Sequence, residues 1–296
     1  MDCRYSRPES LAEAVAVLCE AQETTSGEAH IVAGGVALGI LMNEKLLAPR
    51  WFVDISRLAE LKGIEASEDG GLRIGAGCRH REVERSPLVV ERYPILAEMA
   101  AEIACGRIKN RGTIGGNICL ADPQGDPPVA AIALRATLRA LGPKGTRDIP
   151  ATDFFKGLYE TALGSDEILQ EVRLPPPQAN EGAAFGKFSA RRAMDYSSTV
   201  SVAVRLTRDP ASEQIVEIGL GLGGSGETPI WAKETEKAFI GRRLDEECFA
   251  LMREALFAEI EPLADDLYSQ DYKRHVAAVT MKRTVKTAWR RAGGTA

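Results

Sequence analysis

Apolar and polar positions along this chain change period several times, and each change marks an element. Leu11, Ala14, Val15, Leu18 and Cys19 recur at helical spacing. They predict a helix over residues 10–22, with Ser10 as N-cap and Pro8 as a break before it. Residues 30–33 read as a short buried strand that ends at Gly34-Gly35, and residues 36–43 as a short helix carrying Leu38, Ile40, Leu41 and Met42. Residues 51–55 read as a second buried strand. Farther on, residues 72–75 alternate like a strand, residues 94–103 return to helical spacing, and residues 127–134 form an apolar helix. Residues 136–141 and 168–174 supply further strand-like stretches before Pro175-Pro176-Pro177, which can join neither a helix nor a central strand. Beyond it, Val200, Val202, Val204 and Leu206 alternate with smaller or polar residues, and Val216, Ile218, Leu220 and Leu222 do the same. Gly223-Gly224-Ser225-Gly226 turns the chain, and helical patterns follow over residues 245–263 and 268–291.

These elements divide the chain into three units, residues 1–56, 57–177 and 178–296, and 296 residues exceed one typical domain. The class is α+β. A net charge of −5 argues against nucleic acid as the main partner, and no apolar run approaches the roughly 20 residues of a membrane span. The start, Met1-Asp2-Cys3-Arg4-Tyr5, lacks the basic-then-apolar plan of a signal peptide. Cys3, Cys19, Cys78, Cys105, Cys119 and Cys248 include no C-x-x-C pair, so they read as reduced thiols of a cytoplasmic protein rather than cluster ligands.

The candidate chemistry lies in two glycine-rich turns about eighty residues apart. The first is Ile31-Val32-Ala33-Gly34-Gly35-Val36, running on into Ala37 and Leu38. The second is Asn110-Arg111-Gly112-Thr113-Ile114-Gly115-Gly116-Asn117, followed by Ala121-Asp122-Pro123 and Asp126. Without a Cβ, glycine lets backbone N–H groups close around a bulky anion, and two such turns suit the two phosphates of one dinucleotide. A plain tight turn is the ordinary alternative for either motif alone. Neither follows the G-x-G-x-x-G or the G-x-x-x-x-G-K-[ST] pattern, which disfavours a standard NAD domain and a P-loop.

The two turns occur in order with Val53-Asp54-Ile55, Pro87-Leu88-Val89, Lys187-Phe188-Ser189 and Arg191-Arg192-Ala193-x-Asp195. Together these segments resemble the FAD-binding medium subunit of the molybdenum hydroxylases, over nearly the whole chain. The resemblance implies a two-lobed FAD-binding domain of the vanillyl-alcohol-oxidase (PCMH) type. A C-terminal α+β domain with a small antiparallel sheet and helices would follow it. It implies FAD contacts at Ile31, Val32, Ala33, Gly34, Gly35, Val36, Ala37 and Leu38, and at Thr113, Ile114, Gly115, Gly116 and Asn117. Asp126 matches an acidic residue near the adenosine end, while Leu169 and Lys187 match positions lining the flavin. A solvated surface lysine is the plain alternative for Lys187. Three departures stand out: Val36-Ala37 replace side chains that contact phosphate or flavin in many relatives, Leu120 replaces a frequent histidine, and the cysteine-rich loop of relatives with a 4Fe–4S cluster is missing.

By the same resemblance, substrate is oxidised at a molybdopterin cofactor in a large partner subunit. Electrons then cross two [2Fe–2S] clusters in a small partner, and FAD here passes them to an outside acceptor. Two copies of each subunit would assemble. The rival readings are a self-contained FAD oxidase and a scaffold that has lost its flavin, the second motivated by Val36-Ala37. His80 could approach the isoalloxazine or simply begin a helix, and Tyr196 could cover the flavin face or lie in an interface. Lys282, Arg283, Lys286 and Arg290 form a candidate docking surface or a solvated helix face.

Overall fold

The computed structural model describes residues 3–25, 28–189 and 198–294. The first unit is a parallel sheet of β1 (Arg4–Ser6), β2 (Ala29–Val32) and β3 (Trp51–Asp54) in the order β1-β3-β2. Parallel neighbours need crossovers, supplied by α1 (Leu11–Thr25) and α2 (Val36–Asn43). The stripe of α1 packs Leu11, Ala14, Val15, Leu18 and Ala21 against Trp51 and Val53. The helix runs past residue 22 because Thr25, also buried, continues that stripe. In contrast, α2 is apolar yet buries no residue.

The second unit pairs β4 (Ile64–Ala66), β5 (Leu72–Gly75), β6 (Thr137–Gly142), β7 (Gly145–Pro150) and β10 (Ile168–Leu174) as an antiparallel sheet, order β4-β5-β10-β6-β7. A small hairpin, β8 (Phe155–Gly157) with β9 (Glu160–Thr161), stands apart. Between β5 and β6 the chain builds α3 (His80–Arg85), α4 (Pro87–Arg92), α5 (Pro94–Glu102), α6 (Gly106–Lys109), α7 (Ile114–Leu120) and α8 (Asp126–Ala133). Pro87 and Pro94 open α4 and α5, where a missing N–H costs nothing. Every residue of α8 is buried.

The third unit is an antiparallel meander of β11 (Glu181–Phe188), β12 (Val200–Asp209), β13 (Gln214–Gly223) and β14 (Ile230–Trp231). Helices α9 (Lys233–Phe239), α10 (Glu246–Glu259) and α11 (Gln270–Arg291) complete it. One sheet face packs Val200, Val202, Val204, Leu206 and Leu220 against residues of α10 and α11, including Met252, Met281 and Trp289. The other face, with Ala183, Phe185, Ala203 and Trp231, joins the core of the second unit. Arg291 on Glu98 at 2.6 Å ties the second and third units further, and within the second unit the Tyr93 hydroxyl donates to the Pro175 carbonyl at 2.8 Å.

This is the α+β architecture expected. Strand β11 was not anticipated, and Gly115-Gly116 lie in the first turn of helix α7 rather than in a free turn. Arg191, Arg192, Ala193, Asp195 and Tyr196 lie outside the described residues. Among the described residues, no helix is long and apolar enough to cross a membrane.

Candidate functional site

The two glycine motifs, distant in sequence, touch in the fold. Gly34 lies against the second motif so closely that a Cβ there would overlap the Arg111 carbonyl oxygen and come within 2.9 Å of the Arg111 carbonyl carbon. A Cβ at Gly116 would sit 2.8 Å from Thr113 Oγ1 and 3.9 Å from the Ala33 Cβ. The contact joins the C-terminal end of β2 to the N-terminal end of α7, the ends at which α/β units offer backbone donors. Gly35 is needed for a different reason: it caps α2 in the left-handed region, φ 72°.

Donors at the two helix starts differ. No side chain caps α2, so the first-turn amides of Val36, Ala37 and Leu38 have neither an intrahelical acceptor nor a side-chain one. At α7 the corresponding amides are occupied. Ile114 N–H donates to the Cys78 carbonyl at 2.9 Å, Gly115 N–H to the Ala76 carbonyl at 2.9 Å, and Gly116 N–H to Thr113 Oγ1 at 3.1 Å. Gly115 is moreover pressed on Ala76, whose Cα and carbonyl oxygen lie 2.8 and 2.7 Å from a Cβ built there. The second motif therefore offers the exposed Gly116 backbone with the buried Thr113 hydroxyl beside it, whose hydrogen remains to be donated, rather than the expected row of amides. Ile114 is buried in the core. Ile31 and Val32 pair in register with Val53 and Asp54 and carry the chain to the first turn.

Lys187 and Asp126 correct an expectation. Lys187 Nζ donates to Asp126 Oδ2 at 2.6 Å, with both side chains almost fully buried, and also reaches the Glu102 carbonyl at 3.3 Å. The two residues assigned to opposite ends of a dinucleotide thus occupy one place, and the solvated-lysine alternative fails. Burial pushes the Asp126 carboxyl up to about 6, against the opposing pull of Lys187. Asp126 Oδ1 and Asn117 Oδ1 are buried with no hydrogen-bond partner, and such groups call for a donor. Leu169 is buried in the core of the second unit.

His80 begins α3, and its amide donates to the Gly112 carbonyl at 3.0 Å. Its ring is buried under Gly112, where a Cβ would lie 3.0 Å from Cδ2. Burial, reinforced by nearby Lys109, lowers its pKa to about 4, so the imidazole is neutral at physiological pH. It props the second motif from behind. Of the basic residues on α11, Lys282 pairs with Glu246 at 2.7 Å and both Lys282 and Lys286 lie over the Phe249 ring, leaving Arg283 and Arg290 exposed. The sequence reading missed the carbonyls of Ala76, Cys78 and Arg111, which a residue-type pattern cannot reveal.

This set fits an FAD pyrophosphate and its attached groups. Uncapped amides and a spare hydroxyl hydrogen suit an anion, glycines leave room where a Cβ would intrude, and two orphaned acceptors match donors on a ligand. Comparisons with known proteins agree. The family model described as "FAD binding domain in molybdopterin dehydrogenase" matches residues 1–177, and that described as "CO dehydrogenase flavoprotein C-terminal domain" matches residues 184–288. The chain is 33% identical to the carbon monoxide dehydrogenase medium chain of Hydrogenophaga pseudoflava, over 97% of each. It is 30% identical to a xanthine dehydrogenase FAD-binding subunit of Escherichia coli O157:H7, over 98% of this chain and 97% of the other. A solved carbon monoxide dehydrogenase from Hydrogenophaga pseudoflava, lacking the Mo-pyranopterin moiety of its cofactor, superposes with TM-score 0.92 at 33% identity, covering 98% of both chains.

Proposed function

This chain belongs to the FAD-binding medium subunits of the molybdenum hydroxylases, and from that premise we propose that it transfers electrons from the [2Fe–2S] clusters of a small partner subunit to an external acceptor. The small partner takes those electrons from a large molybdopterin-bearing subunit, where substrate is oxidised, in a complex with two copies of each subunit. The cofactor held here is FAD, which supplies an exchange between single electrons and pairs.

The observation that carries this reading is the contact of the two glycine motifs between two lobes, with uncapped amides on one side. In the proposal, the amides of Val36, Ala37 and Leu38 hold the pyrophosphate, Gly34 lets the two motifs close on each other, and Gly35 and Gly116 keep the cofactor's path free of side chains. Because these contacts are made by backbone, Val36-Ala37 need no polar side chains, which removes the motive for a flavin-free scaffold. Thr113 donates its hydroxyl hydrogen. Asn117 Oδ1 and Asp126 Oδ1 accept from the cofactor, and the Lys187–Asp126 pair borders the flavin. Ile31, Val32 and Ala33 set the direction in which the first turn leaves β2, while Ile114, Gly115 and Leu169 hold the second motif on its core. The chain's task is to bind, orient and shield.

The test is anaerobic. Flavin-loaded chain is mixed with the pre-reduced small iron–sulfur subunit, and flavin absorbance is followed. The proposal predicts bleaching of the flavin only when the partner is present. Oxidation of an organic substrate by the isolated chain, without partners or molybdenum, would replace it with a self-contained oxidase.

A further inference from the structure

Strand β13 alternates Ile218, Leu220 and Leu222 with Gly219, Gly221 and Gly223. The aliphatic side chains enter the C-terminal core. The glycine face lies against α8, with no room for side chains. A Cβ at Gly219 would overlap the Ala133 carbonyl, and one at Gly221 would overlap the Val129 carbonyl, 3.0 Å from its carbon. At Gly223 it would come within 2.5 Å of Ser201 Oγ and 2.9 Å of Val129 Cγ2. Just beyond, Gly224 N–H donates to the Pro123 carbonyl at 2.8 Å, fixing the segment that leads into α8.

Helix α8 begins with Asp126, and the same sheet carries Lys187 on β11, in register with Ser201 on β12 and through it with Gly223 on β13. One sheet thus fixes both partners of the buried pair: Lys187 directly, and Asp126 through the depth at which α8 rests on the glycines. We propose that the glycine face of β13 is a positioning device that holds Asp126 on Lys187 and thereby sets the net charge presented to the flavin. This rests on the reading that the pair borders the flavin. Joined, carboxylate and ammonium nearly cancel. Parted, the ammonium is unmasked in a poorly screened interior and favours the more negative, reduced cofactor.

The test is the midpoint potential of the bound flavin, titrated in the full-length, flavin-loaded chain. Asp126→Asn is expected to shift it upward, and Gly221→Ala to shift it in the same direction by a smaller amount. The double variant Asp126→Asn/Gly221→Ala is expected to match Asp126→Asn alone, since no carboxylate is left to displace. Gly182→Ala is the control. It lies on the opposite face of the sheet, where its Cβ would come 3.0 Å from the Ala288 carbonyl carbon of α11, so it stresses the fold without touching α8 and should leave the potential unchanged. Should Gly221→Ala not fold, Gly223→Ala serves, because its Cβ meets Val129 Cγ2 of α8 at 2.9 Å and the Pro123 carbonyl oxygen at 3.3 Å, a milder push on the same helix. A shift in Asp126→Asn with none in either folded glycine variant overturns the positioning role, as does a further shift in the double variant or an equal shift in Gly182→Ala. No shift in Asp126→Asn itself shows instead that the pair does not border the flavin, and the site reading falls with the inference.

Discussion

At the scale of residues, the Lys187–Asp126 pair determines what a substitution does. Removing one partner of a buried pair costs about 3–5 kcal/mol unless the survivor neutralises. Burial already places the Asp126 carboxyl at about 6, so in Lys187→Met it rises further and takes a proton. A carboxyl whose folded pKa is raised stabilises the fold while protonated and loses that contribution as pH rises from its unfolded value through its folded one. Lys187→Met is therefore expected to lower Tm more at pH 8 than at pH 5.5, and equal losses at both would contradict the pairing. His80 has the opposite sign. Its pKa is lowered from 6.5 to about 4, so the fold favours neutral imidazole and loses stability as pH falls through that window, by at most roughly 3 kcal/mol. His80→Gln should flatten part of that acid loss in denaturation curves measured between pH 6.5 and 4. Unchanged acid sensitivity would mean that the imidazole does not bear the cost.

At the scale of elements, the strength of each sequence signal matched the extent to which an element's own side chains define it. The stripe of α1 and the alternation of β12 were legible because one face of each is aliphatic. Strand β11, Glu-Gly-Ala-Ala-Phe-Gly-Lys-Phe, has no β-branched residue, and its glycines answer to α11: Gly182 lies against the Ala288 backbone and Gly186 near Thr280. Its strand character comes from neighbours, which a local reading cannot see. Likewise Gly115-Gly116 looked like a turn because glycine is a poor helix former, yet α7 needs Gly115 to approach Ala76. Gly115→Val is therefore expected to reduce the yield of folded protein rather than flavin affinity alone. Normal yield and thermal stability with flavin lost would restore the residue to the phosphate contacts.

At the scale of the molecule, the order of the glycine motifs announced the cofactor class, while the way the lobes meet had to come from the fold. Spacing alone does not tell that Gly34 rests on Arg111, that α7 has used its own amides, or that Asp126 and Lys187 converge from two units. Each of the three units contributes: β2 delivers the first motif, the helical layer of the second unit delivers the second together with Asp126, and the C-terminal sheet delivers Lys187. The flavin content of the purified full-length chain, read before and after denaturation, tests whether this seam between the glycine motifs is the cofactor site. One FAD per chain is expected, released on denaturation because Gly34-Gly35-Val36-Ala37 offers no residue for covalent attachment, and flavin should be lost from a still-folded Gly34→Ala variant. A folded chain without flavin, flavin that stays with the denatured polypeptide, or full flavin in folded Gly34→Ala would contradict it.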